Sequence, residues 1–73
     1  MDTKTNELAG IAAAVAGHCQ RCFSYHYNEA KRIGIDQKDI QEVIEFAKAI
    51  RRTGGNNMDE FVNRMLDQKN DSR

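Results

Sequence analysis

Ile40, Val43, Ile44, Ala47 and Ile50 fall at the three- and four-residue intervals of one helix face. Strand signals are almost absent. The chain has no proline to break a helix, and its five glycines, Gly10, Gly17, Gly34, Gly54 and Gly55, supply the punctuation. An all-α fold follows, a small bundle of about four helices. The first is expected over residues 5–16, with Asp2, Thr3 and Thr5 as candidate caps and a body of small residues that lets a neighbour approach closely. Gly10 lies inside it at a cost of about 1 kcal/mol relative to alanine, which a close helix contact would offset. Gly17 suits a left-handed helix end. A second helix is expected over residues 19–33, its inner face formed by Cys19, Cys22, Phe23, His26, Ala30 and Ile33 and its end marked by Gly34. Asp36 caps a third. Thr53-Gly54-Gly55-Asn56 reads as a break before a fourth helix at about residues 57–68, with Met58 and Met65 as core filler and a polar, frayed tail from residue 67.

At 73 residues the chain is one domain, 1–73, near the size at which a single core is marginal, so help from further copies of the chain is expected. Eleven basic and eleven acidic residues give zero net charge with no basic block, which excludes a nucleic-acid footprint. The longest apolar run, residues 11–16, is far too short to cross a bilayer, and the N-terminus lacks a signal-peptide pattern. A cytoplasmic location is the expectation. There a Cys-x-x-Cys pair serves chemistry more readily than scaffolding.

That pair sits in Gly17-His18-Cys19-Gln20-Arg21-Cys22-Phe23-Ser24-Tyr25-His26, which holds both cysteines and both histidines of the protein. A helix opening near Cys19 stacks the two sulfurs one turn apart, with His26 a further turn on. The positive end of the helix favours thiolate over thiol. Glu7 precedes an otherwise apolar face of the first helix. If that helix packs antiparallel on the second, the carboxylate needs a buried partner, and His26 is the natural one. A Glu–His–Cys chain turns a weak nucleophile into a strong one, because the carboxylate orients the imidazole and the imidazole takes the thiol proton.

Glu7, then Cys19-Gln20-Arg21-Cys22, then Phe23-Ser24-Tyr25-His26, followed by Ala30, Gly34 and a capped helix through Ala47, resemble the alkylhydroperoxidase D-like group of the carboxymuconolactone decarboxylase superfamily. The resemblance covers roughly residues 5–52. It implies an all-helical fold assembling into homo-oligomers, and a thiol peroxidase or disulfide reductase acting on a hydroperoxide or disulfide, with a separate reducing partner and no metal or other cofactor. By that analogy Cys22 attacks the peroxide and Cys19 resolves the sulfenic acid to a Cys19–Cys22 disulfide, while His26 and Glu7 relay protons. One position departs from the pattern. The well-studied peroxidases carry a histidine just before the second cysteine, where this chain has Arg21, leaving the charge of Arg21 or the ring of His18 to take its place.

Two other readings stand beside this one. His18, Cys19, Cys22 and His26 could supply four metal ligands, although four residues within three turns of one helix do not readily surround a tetrahedral ion. Alternatively, the chain could keep the fold as a non-catalytic helical assembly.

Overall fold

The computed structural model describes residues 1–71 and is all-helical over them, with three helices and no strand among the described residues. Helix α1 spans Thr3–Ala16, α2 spans Gln20–Arg32 and α3 spans Gln37–Asp71. Asp2 is the residue that caps α1, its Oδ1 accepting from Thr5 N–H at 2.7 Å. That backbone hydrogen bond holds the Asp2 carboxyl below its ordinary value. At the far end of α2, Gly34 takes the left-handed position at φ 82°. The N–H of Ile35 closes the turn on Ala30 O at 3.0 Å, and that of Gly34 reaches Lys31 O at 3.1 Å. Asp36 then starts α3, accepting from Lys38 N–H at 3.2 Å.

Helix α1 packs against both others, while α2 and α3 barely touch one another. The core is correspondingly small. Ile11, Ala30, Ile35 and Ile40 are buried together, with Leu8, Phe23, Tyr27, Val43 and Ile44 packed around them. Ala14 and Ala47 are also buried, so the small residues of α1 do serve a close helix contact. Phe23 and Tyr27 stack with ring centroids 5.5 Å apart.

The expected break at residues 53–56 does not form. The third and fourth helices are one helix of 35 residues, roughly 52 Å long. Glycine lowers helix propensity by about 1 kcal/mol but forbids nothing, and Gly54 and Gly55 keep negative φ with open space around them. Thr53 turns inward to its own helix, its hydroxyl donating to Ala49 O at 3.0 Å. Helix also continues over residues 67–71, where a frayed tail was expected; residues 72 and 73 of that tail lie outside the described residues. Beyond Arg51 every side chain of α3 described, through residue 68, is exposed. Met58 and Met65, expected as core filler, are exposed, in company with Phe61, Val62 and Leu66. No helix among the described residues is long and apolar enough to cross a membrane.

Candidate functional site

Cys19 is held from two sides. Its N–H closes the end of α1 on Ala14 O at 2.9 Å, and the N–H of His18 reaches Val15 O at 3.4 Å. These are the two bonds of a Schellman helix end, and the residue that takes the left-handed conformation in it is His18, at φ 58°. Gly17 was expected there, but it has φ −90° and lies one position too early in the bond pattern. Histidine in that conformation costs roughly 1–2 kcal/mol. On its other side, Cys19 caps α2 with its own sulfur, Sγ accepting from Cys22 N–H at 3.2 Å.

Cys19 and Cys22 are joined as a disulfide with Cα atoms 5.2 Å apart. Cys22 is exposed and Cys19 half-buried. No acidic side chain lies in the first turn of α2, so nothing neutralises the positive end of the helix where the sulfurs sit. Arg21 is exposed in that same turn. When the pair is reduced, both features favour thiolate.

Glu7 is the buried ionisable side chain of the described residues, only 8 % exposed. Its Oε1 lies 2.7 Å from Nδ1 of His26, across the seam between α1 and α2. As a carboxylate Glu7 can only accept, so this hydrogen bond places a proton on Nδ1 and leaves Nε2 as the basic nitrogen. His26 stands four residues after Cys22 on α2, one turn along the same face. The edge of Tyr25 meets the imidazole at 5.1 Å and 83°.

Gly10 makes room for this pair. A Cβ at position 10 would stand 2.6 Å from Cγ and Nδ1 of His26 and 2.7 Å from Cδ2. No side chain fits, so the imidazole lies flat against the backbone of α1, one turn from Glu7. The propensity lost at Gly10 is therefore offset by a close contact.

The structure thus brings together Glu7 of α1 with His26, and Cys19 with Cys22, and puts Cys22 and His26 on the first two turns of α2 with Cys19 at its cap. His18 lines a groove together with Cys19, Phe23, Ile44, Lys48 and Arg51. Among the described residues no three His, Cys, Asp or Glu side chains converge as a metal site requires. Three participants escaped the sequence reading in their full role. Gly10 could have been found from its spacing, three residues after Glu7 and so on the same face. Lys48 and Arg51 follow Ile44 at four and seven residues, which puts cations on the face that Ile44 turns toward α1.

The family model described as Carboxymuconolactone decarboxylase family matches residues 1–57 of the 73. That span takes in α1, α2, both residue pairs and α3 up to Asn57. No curated protein and no solved structure matches the chain.

The same substitution should have opposite signs at two glycines. Gly55→Ala, in open space, should raise stability by up to about 1 kcal/mol. Gly10→Ala should lower it by about 1–3 kcal/mol, because the imidazole must give way and leave Glu7. Urea unfolding of both variants checks this, and imidazole ¹⁵N shifts of Gly10→Ala should show that the proton preference for Nδ1 is lost. Equal effects at the two positions would mean that the slot is not needed.

Proposed function

The chain belongs to the carboxymuconolactone decarboxylase family, and from that premise we propose that it is a small thiol-dependent oxidoreductase, an alkylhydroperoxidase-like peroxidase or disulfide reductase. The observation that carries the reading is the Cys19–Cys22 pair at the opening of α2, with a carboxylate-oriented imidazole one turn further on. Dithiol, base and orienting acid are the parts such chemistry needs.

In the proposed cycle, Nε2 of His26 takes the proton of the Cys22 thiol. The Cys22 thiolate attacks the outer oxygen of a hydroperoxide, the O–O bond breaks, and the alcohol leaves with the proton returned by His26. Cys22 is then a sulfenic acid. The Cys19 sulfur attacks that of Cys22, the S–O bond breaks, the leaving hydroxyl takes the proton given up by the Cys19 thiol and departs as water, and the disulfide forms. Two electrons from a reducing partner restore the dithiol by exchange. Glu7 acts through His26 as a positioning residue, since its hydrogen bond fixes which ring nitrogen is free. The exposure of Cys22 supports its role as the attacking sulfur, and the hydrogen bond from Cys22 N–H to Cys19 Sγ supports a stabilised thiolate at the resolving position. Arg21 stands where peroxidases of this type carry a further histidine, and its charge beside the sulfurs serves the same end.

The protein works as a homo-oligomer in this reading. Ile50, Phe61, Val62, Met65 and Leu66 are each about half exposed along one helix. A second copy offers the same apolar length in return, and symmetric association buries both.

Mass mapping after mild peroxide treatment of the reduced protein should find the Cys19–Cys22 disulfide. Cys22→Ser should abolish turnover, whereas Cys19→Ser should accumulate a sulfenic acid that a dimedone probe captures. Interchangeable behaviour of the two variants would overturn the assignment of roles, and a dithiol left free after peroxide would remove the peroxidase reading. Sedimentation at micromolar concentration should find a dimer or larger, with Phe61→Glu shifting it to monomer; a monomeric wild-type protein would remove the oligomer.

A further inference from the structure

Cys19 borders an open groove of about 470 Å³, between the end of α1, the start of α2 and the middle of α3, whose lining does not include His26. Its apolar lining comes from Val15, Phe23 and Ile44, and its polar lining from Gln20 together with the basic side chains of His18, Lys48 and Arg51. Carboxylates are absent from the lining. Cys19 faces this groove, whereas Cys22 does not line it.

The two cations are held differently. Nη1 of Arg51 donates to Val15 O at 3.0 Å, which ties α3 to the carbonyl end of α1 and fixes the guanidinium at the rim. Nζ of Lys48 has only an exposed partner one turn back on its own helix, Glu45 Oε2 at 3.5 Å. Such a pair is weak and exchanges readily for another anion. An apolar lining with a cationic rim fits an aliphatic body that carries an acid, and the sulfur at its end is the one the exposed face of the site does not present.

We infer that this groove binds the reducing substrate of the dithiol, and that this substrate is an aliphatic thiol bearing a carboxylate. The inference rests on the redox reading of Cys19 and Cys22 and adds to it which sulfur the reductant meets and what chemical class it belongs to. In the step it serves, the thiolate of the bound reductant attacks Cys19 Sγ. A mixed disulfide forms at Cys19, the Cys19–Cys22 bond breaks, and Cys22 leaves with the electron pair as thiolate, ready for the next oxidant. A second reductant thiolate attacks the mixed disulfide, releasing the reductant as its own disulfide and Cys19 as thiolate. Two thiols are oxidised and the protein takes up two electrons.

The test reduces the oxidised full-length protein with 6-mercaptohexanoate and with 6-mercaptohexanol, at equal thiolate concentration and low salt. Each rate is divided by the rate of the same thiol on the cyclic disulfide peptide Cys-Gln-Arg-Cys, which cancels intrinsic reactivity and the charge of Arg21. The acid should be favoured over the alcohol by about fivefold, what one surface charge pair is worth, and the preference should shrink in Lys48→Gln. Thermal melting of Lys48→Gln confirms that the variant is folded. A ratio equal for acid and alcohol, or the same ratio in wild type and Lys48→Gln, overturns the groove while leaving the dithiol reading intact. A disulfide that neither thiol reduces overturns both.

Discussion

One hydrogen bond organises the first two helices. Glu7 is an acid placed where the surroundings are apolar, and burying a carboxylate without a partner costs several kcal/mol. The partner it has is Nδ1 of His26 at 2.7 Å. For that contact α1 and α2 must meet with backbone against ring, and only a glycine at position 10 allows it. Carboxylate, glycine and imidazole therefore form one unit spread over two helices: remove the glycine and the ring moves, remove the acid and the ring loses its orientation. The same contact that decides how α1 lies on α2 also decides which nitrogen of His26 is free to accept a proton.

The turn between those helices has a comparable double use. The Schellman end of α1 and the cap of α2 share Cys19, so the residue that closes one helix with its N–H opens the next with its sulfur. That fixes the position of Cys19 tightly while leaving Cys22, one turn into α2, exposed to whatever approaches. A thiolate at either position gains from the unpaired N–H groups of the helix start, which no carboxylate offsets. Beyond this well-tied corner the chain changes character. The second half of α3 contributes nothing to the core formed by Ile11, Ala30, Ile35 and Ile40, and presents its apolar stripe outward.

Much of the corner was legible in the sequence, because it depends on local spacing. Cys19, Cys22 and His26 at helical intervals, and an acid on an apolar face in need of a partner, are enough to expect the pairing of Glu7 with His26. Gly10 could be noticed as a cost but not as a slot, since the slot exists only once α2 is laid against α1. Gly17 and His18 were exchanged because both turn conformations satisfy the same local composition, and only the hydrogen-bond pattern, from Cys19 to Ala14 and from His18 to Val15, selects between them. The continuity of α3 failed to register for a different reason. Two adjacent glycines beside threonine and asparagines are a strong punctuation signal, yet their penalty is an energy difference of about 1 kcal/mol each and not a prohibition. Lys48 and Arg51 stand well before the end of α3, and only the fold shows that they border the groove at Cys19.

The account as a whole requires His26, oriented by Glu7, to draw the proton from Cys22. The most direct measurement is the rate at which iodoacetamide alkylates Cys22 at neutral pH in reduced Cys19→Ser protein, with His26 present and with His26→Gln. The account predicts at least about tenfold faster alkylation when the imidazole is in place. Equal rates in the two proteins would contradict it.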